Sequence, residues 1–261
     1  MERHLILTNA RSGSNFLTST INTHPELLNF GEVLGEWTLP RKYISGQLFP
    51  GMSDADYLEL LYRSRWVFYG GQAFSAARRL RRGRSFRLKS RARVKSLGMK
   101  DFAYLVQRFG LADYIVESGD LKVIQLLRGN TLKRFISIER MRETKTVSTE
   151  GVVQKVRLVI DTETLLRRLR VLRDQDDSLQ GLVARLPSER VLALRYEDYF
   201  ASPKRIAETN ERLFRFLGVD PITAVSKQKK ITPERLEDIV DNLPEVRRTL
   251  ARTEFECLLD S

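Results

Sequence analysis

Leu5-Ile6-Leu7-Thr8-Asn9-Ala10-Arg11-Ser12-Gly13-Ser14-Asn15-Phe16-Leu17 runs from an apolar stretch through a polar turn into a helical pattern. A strand, a tight turn and a helix N-terminus in that order form an anion cradle. The first-turn N–H groups of a helix have no intrahelical acceptor, and the helix dipole adds roughly half a positive charge at that end. Gly13 allows close backbone approach, Ser12 and Ser14 offer hydroxyl donors, and Arg11 offers a fork of N–H donors. The segment reads as a loop for a phosphate- or sulfate-type group.

Outward from this loop, strand and helix patterns alternate. The first strand is expected near 4–9 and the first helix near 14–22, broken at His24-Pro25. Residues 26–36 hold Phe30-Gly31-Glu32-Val33-Leu34, with a turn at Gly31. Ala55, Leu58, Leu61 and Tyr62 predict a helix over 54–66. A short strand at 97–100 and a helix near 101–109 follow. A strand over 121–128 runs into Arg128, and Gly129-Asn130-Thr131 caps a basic helix near 131–142. Residues 145–160 are rich in β-formers without a clear pattern. A long helix near 162–185 ends at Pro187, then a strand near 191–196 and a helix near 203–217 stopped by Gly218. The tail over 233–259 reads as two short helices split by Pro244.

This alternation predicts one α/β domain over 1–261, with 220–261 as a helical tail. The expected architecture is a P-loop-like three-layer fold, with a central, mainly parallel sheet and helices on both faces. Ligands of such sheets sit beyond the carboxyl ends of the strands. Arg11 to Asn15, Lys100 and Arg128 are therefore expected to face one crevice.

Composition bounds the function. The 261 residues, 42% of them hydrophobic, can supply a core. A net charge of +12 favours anionic partners: nucleotide, nucleic acid, acidic polysaccharide or membrane surface. Cys257 is the only cysteine, which excludes an internal disulfide and a Cys-based metal site. His4 and His24 are too few for a His-rich one. No apolar run approaches the roughly 18 residues of a spanning helix. Met1-Glu2-Arg3-His4 leads straight into a strand without a signal peptide, so a cytoplasmic location is expected.

The loop lacks the apparatus of the common nucleotide folds. Gly13 is followed by Ser14-Asn15, not by the Lys-Ser/Thr of a P-loop NTPase. No Gly-x-Gly-x-x-Gly fingerprint occurs either.

Thr8-Asn9-Ala10-Arg11-Ser12-Gly13-Ser14-Asn15-Phe16-Leu17 resembles the 5′-phosphosulfate loop of the sulfotransferases. Leu126-Leu127-Arg128-Gly129-Asn130-Thr131-Leu132-Lys133-Arg134-Phe135-Ile136-Ser137 resembles their 3′-phosphate motif, in which a strand-end Arg and a helical Ser clamp the phosphate. Leu194-Arg195-Tyr196-Glu197-Asp198 is similar to the family's Tyr-Glu-Asp strand end. Thr253-Glu254-Phe255 resembles the bacterial carbohydrate- and lipopolysaccharide-type branch. Both phosphate motifs occur in the family's order, and residues 38–95 match it least.

The resemblance implies 3′-phosphoadenosine 5′-phosphosulfate as sulfonate donor, adenosine 3′,5′-bisphosphate as product, and no metal. It places Arg11, Ser12, Gly13, Ser14, Asn15, Phe16, Arg128 and Ser137 on the donor. Arg11 would neutralise the charge that builds on the bridging oxygen as the sulfonate leaves. Many members have Lys in that loop; Arg stays charged and is a poor proton donor. Many also have Pro after the clamp Arg and an Arg-to-Ser spacing one residue shorter than Arg128 to Ser137.

Attack on sulfur requires a base for the acceptor hydroxyl, and a positioned one contributes roughly 10²–10⁴-fold. Cytosolic members use a His in a Lys-Thr-His strand end; here the place reads Lys100-Asp101-Phe102. Bacterial carbohydrate-type members use a Glu after the first helix. Glu32 fits that place, with Glu36 as the nearby competitor. Lys100 is a candidate for contact with the sulfonate or a phosphate. The implied acceptor is a hydroxyl of a carbohydrate or small molecule.

Residues 78–95 hold ten Lys/Arg and no acid. They read as a basic insertion: a solvated loop or a lid, ahead of a nucleic-acid or membrane patch. Phe86 is the one aromatic residue there, too little for base stacking. Lys227, Lys229 and Lys230 could reach the 3′-phosphate or remain a solvated run. The competing functions are a basic nucleic-acid-binding protein and a nucleotide-dependent phosphoryl-transfer enzyme.

Overall fold

The computed structural model describes residues 1–81, 83, 88–144, 156–224 and 235–259, and only the backbone of Arg78 and Arg79. In chain order the elements are β1 (Glu2–Thr8), α1 (Ser14–Thr23), β2 (Leu27–Asn29), α2 (Asp54–Arg63), α3 (Arg65–Leu80) and β3 (Ser96–Phe102). Then come α4 (Ala103–Arg108), α5 (Ala112–Glu117), β4 (Leu121–Leu127), α6 (Thr131–Thr144), α7 (Thr162–Val183) and β5 (Val191–Arg195). The last are α8 (Tyr196–Tyr199), α9 (Pro203–Phe216) and α10 (Leu243–Leu250).

The five strands form one all-parallel sheet in the order β2-β3-β1-β4-β5. The chain leaves β1 toward β2 and β3 on one side, then crosses to β4 and β5 on the other. The carboxyl end of β1 is thus the switch point where a ligand crevice opens. Side chains of β1 alternate between two cores, as a period of two requires. Leu5 and Leu7 pack with Tyr57, Leu61, Phe68, Leu105, Ile115 and Leu179 from α2, α3, α4, α5 and α7. Ile6 packs with Leu17 and Ile21 of α1 and Leu213 and Phe214 of α9. Helices therefore cover both faces, in the expected three layers.

A third cluster joins α6, α7 and the tail through Phe135, Leu165, Leu169, Val246 and Phe255. Here the tail departs from expectation. Pro244 does not split two helices; it lies in the first turn of α10, where a missing N–H costs nothing. Glu254 pairs with Arg170 at 3.1 Å and Phe255 is buried, so Thr253-Glu254-Phe255 pins the tail to α7.

Two further expectations change. The helix over 54–66 is two helices broken at Ser64, and the second continues to Leu80. The basic run therefore begins on a helix. Residues 82 and 84–87 of that run lie outside the described residues, as do 145–155 and Lys227, Lys229 and Lys230. Lys89 is not solvated: its Nζ donates to the carbonyls of Asn22 (2.9 Å), His24 (2.8 Å) and Leu27 (2.5 Å), where α1 ends. A cation there also suits the negative end of the helix.

Candidate functional site

The loop after β1 folds as its sequence suggests, with two added constraints. Arg11 has a φ of 66° and Gly13 a φ of 85°. A non-glycine residue in that region is strained, and such strain persists only where surrounding contacts impose it. Those contacts are present. Arg134 Nε donates to the Ala10 carbonyl at 3.0 Å, and Arg128 Nη1 to that of Arg11 at 3.2 Å. Asn9 Nδ2 donates to Asp176 Oδ1 at 2.7 Å. At Gly13 a Cβ would come within 3.0 Å of the Phe200 ring and 3.1 Å of Tyr196. Glycine is thus required by packing as well as by φ.

The second motif meets the first. Arg128 follows β4, and Ser137 lies in α6. Arg11 Nε donates to Ser137 Oγ at 3.0 Å. Arg128 is buried and stacks on the Tyr196 ring, with its guanidinium carbon 4.5 Å from the centroid. Glu197 accepts from the backbone N–H groups of Gly129 (3.0 Å) and Asn130 (3.1 Å). The Tyr-Glu-Asp segment therefore braces both loops: Tyr196 under Arg128 and against Gly13, Glu197 around the turn that opens α6.

The electrostatics of this end are unusual. Burial lowers the proton affinity of the Arg11 guanidinium, and the neighbouring charge of Arg128 lowers it further. Burial does the same to Arg128. Both remain charged at neutral pH, because arginine starts so high. Arg128 Nε and Ser12 Oγ are buried and lack hydrogen-bond partners among the described residues. Buried donors without acceptors are costly and need an explanation. An anion with several oxygens supplies one.

Arg134, to which the motif assigns no role, is the fully buried hub of the loop. Its Nη1 pairs with Asp176 at 2.8 Å and its Nη2 donates to Gln175 Oε1 at 2.7 Å. The available signal was its spacing of three residues from Ser137, which puts both on one helix face.

On the other side of β1, Lys100 lies within β3 opposite Ile6 rather than at the strand end. It is buried, and its Nζ pairs with Glu32 Oε1. Trp37 Nε1 donates to Glu32 Oε2 at 3.0 Å. The loop carrying Glu32 is held by the next residue of β3. Asp101 Oδ2 accepts from the N–H groups of Val33 (2.9 Å) and Leu34 (3.0 Å). Burial pushes the Asp101 carboxyl up to about 7, against the opposing pull of those two donors. Nothing local in the sequence marks Asp101 for this task.

The remaining candidates divide. Ser12 and Ser14 are buried in the loop, and Asn15 is partly buried at the start of α1. Phe16 is spent on packing: its ring meets those of Phe200 at 5.1 Å and Tyr199 at 5.8 Å. Its N–H donates to the Gly13 carbonyl at 3.0 Å. Glu36 pairs with Arg108 at 2.6 Å on the surface, both side chains being exposed. The geometry separates it from Glu32. His24 serves structure: Glu26 N–H donates to its Nδ1 at 3.1 Å, leaving Nε2 to donate to the Asp220 carbonyl at 3.1 Å. Among the described residues, no group of three His, Cys, Asp or Glu could hold a metal ion.

No family model and no curated protein sequence matches the chain. Solved structures similar to it include a sulfotransferase from Alicyclobacillus acidocaldarius, at 16% identity and a TM-score of 0.47, covering 100% of this chain and 96% of that one. The sulfotransferase domain of the Synechococcus olefin synthase is 17% identical with a TM-score of 0.45, covering 99% and 86%. The sulfotransferase domain from the curacin biosynthetic pathway is 17% identical with a TM-score of 0.43, covering 98% and 88%.

Proposed function

We propose that the chain is a sulfotransferase that moves the sulfonate of 3′-phosphoadenosine 5′-phosphosulfate to an acceptor hydroxyl. One observation supports this most. Two guanidinium groups, the partly buried Arg11 and the buried Arg128, come from the two motifs that resemble phosphate clamps, and they meet at the switch point of the sheet. Charge-assisted hydrogen bonds to a phosphate contribute on the order of 1.5–3 kcal/mol each.

In the proposed reaction, Arg128 and Ser137 hold the 3′-phosphate. Ser12, Gly13, Ser14 and Asn15 hold the 5′-phosphosulfate through hydroxyls and first-turn N–H groups. The acceptor oxygen attacks sulfur in line, and the bond from sulfur to the bridging phosphate oxygen breaks. Glu32 takes the hydroxyl proton. Arg11 stabilises the negative charge on the departing phosphate. Lys100 and Trp37 each occupy one oxygen of Glu32 and fix its direction, and each oxygen keeps a second lone pair for the proton. The product is adenosine 3′,5′-bisphosphate. The acceptor is a hydroxyl of a carbohydrate or small molecule, and residues 1–261 act as one catalytic unit.

The test is transfer of radiolabelled sulfonate from the donor into a panel of hydroxyl acceptors, without added metal. Labelled product from wild type but not from Glu32→Gln is the expected result. Magnesium-dependent turnover of ATP with no sulfonate transfer would replace this reading by phosphoryl transfer.

A further inference from the structure

Glu32 sits between two residues whose backbone groups are all tied down. Before it, the Gly31 N–H donates to Asn29 Oδ1 at 2.9 Å, and the Gly31 carbonyl accepts from the Lys100 N–H at 2.9 Å. After it, the Val33 N–H donates to Asp101 Oδ2 at 2.9 Å. The Val33 carbonyl accepts from two hydroxyls, Tyr57 at 2.8 Å and Thr38 at 3.0 Å. The Leu34 N–H donates to the same Asp101 oxygen at 3.0 Å. Asp101, Tyr57 and Thr38 are buried, whereas Glu32 is only partly so. Burial also raises the Tyr57 hydroxyl, which therefore stays protonated and remains a donor at any working pH.

For stability alone, Asp101 is a poor choice at this position. Its Oδ1 is buried and lacks a hydrogen-bond partner among the described residues. No cation among them pairs with it, because Lys100, the adjacent residue, points to the other face of the pleat and pairs with Glu32. A buried carboxylate in that state destabilises the fold. Local rules are broken in this way where function requires it. Asp101 does not meet the acceptor itself. It lies beside Leu7 in the sheet register, on the face that α2 covers with Tyr57 and Leu61. Its reach toward chemistry is through the turn that carries Glu32.

We propose that Asp101 is a positioning residue for the base, with Tyr57 and Thr38 gripping the opposite end of the same turn; this rests on the reading of Glu32 as that base. Asp101 holds the two amides after Glu32, the hydroxyls hold the carbonyl between them, and the turn is left no direction in which to shift. Lys100 and Trp37 then aim the Glu32 carboxylate from a fixed origin. A displacement of about 1 Å in a reacting group can cost on the order of 10²-fold in rate. Trp37 also makes the arrangement visible, since its indole N–H donates to Glu32 and Trp66 is the only other tryptophan.

The test compares Asp101→Ala in the full chain with and without Glu32→Gln, by transfer of radiolabelled sulfonate to the best acceptor of a hydroxyl panel. Alone, Asp101→Ala should lower kcat by about 10- to 100-fold and leave KM for donor and acceptor within about twofold. Beside Glu32→Gln it should cost less than about twofold, because the group it positions is gone. Asp101→Asn keeps an oxygen for the two amides and should restore kcat to within about threefold of wild type. If Asp101→Ala does not fold, Thr38→Val with Tyr57→Phe strips the Val33 carbonyl of both donors and carries the same comparison. In a Trp66→Phe background, Asp101→Ala should shift Trp37 emission and raise its quenching by acrylamide, and Asp101→Asn should do neither. Equal losses with and without Glu32, a loss confined to KM, or unchanged Trp37 emission would overturn the proposal and leave Asp101 a structural residue. Absence of transfer by wild type would instead overturn the assignment of the base, so the two failures are told apart.

Discussion

The two sides of β1 follow opposite electrostatic plans. Toward β4, Arg128 lies close enough to lower the hold of Arg11 on a proton, and Glu197 is engaged with backbone N–H groups. Toward β3, the buried Lys100 is neutralised by Glu32, and exposed Trp37 closes over the pair. One side sets two arginines beside each other; the other pairs a lysine with a carboxylate. An anionic donor suits the first and a neutral hydroxyl acceptor suits the second. The contrast teaches that the net charge of the chain says less than how its positive groups are placed.

Glu32→Gln should separate the two sides most sharply. Turnover is expected to fall by roughly 10²–10⁴-fold, the usual worth of a positioned base. The thermal shift produced by adenosine 3′,5′-bisphosphate should remain. Steady-state rates alongside melting curves check both halves, and loss of the shift would mean that the two sides are not independent.

Arg134→Ala tests whether the donor loop is built by its buried ties. Removing one partner of the buried pair with Asp176 should cost about 3–5 kcal/mol in a urea titration. Lys at this position should rescue little, since Arg134 uses three nitrogens on four acceptors.

Arg128→Met keeps the apolar stem on Tyr196 and removes the charge. Affinity for adenosine 3′,5′-bisphosphate should drop by about 1.5–3 kcal/mol. The ligand-free protein should melt no lower than wild type, because a buried donor without an acceptor is gone. A lower ligand-free melting temperature would show that Arg128 serves stability first.

Asp101→Asn addresses the lysine–carboxylate side through pH. The folded carboxyl sits at about 7, above its ordinary value of 3.8, so the folded state takes up a proton between the two. Its contribution to stability is fully present below the lower value and is lost as pH rises to the upper one. The melting difference between Asn variant and wild type should therefore move in the variant's favour from about pH 4 to about pH 7 and then level off. A flat difference would contradict the burial of this group. Glu36→Gln should be the mildest change. Its exposed pair with Arg108 is worth about 0–1 kcal/mol, and turnover should stay within about twofold.

The fold was legible where signals are local. β1, α1, β4 and the start of α6 follow from apolar runs that end in turn residues, and both phosphate motifs sit on those junctions. The relation between motifs was not legible. Arg134 needs Asp176, Asp101 needs the Val33 and Leu34 amides, and Lys89 needs the end of α1. Each tie joins residues distant in sequence, where periodicity and turn chemistry have no reach. Helix α3 was obscured for another reason. Its apolar residues surround the helix and run into a basic segment, so no single stripe stands out. Pro244 misled because proline breaks a helix interior but is welcome in a first turn.

The central claim is that Arg11 and Arg128 form an anion site for a nucleotide phosphorylated at both 3′ and 5′ positions. Calorimetric titration of adenosine 3′,5′-bisphosphate into the metal-free protein tests it most directly. Saturable binding that weakens in Arg128→Met is the predicted result. No heat of binding at millimolar nucleotide, or equal affinity in Arg128→Met, would contradict it.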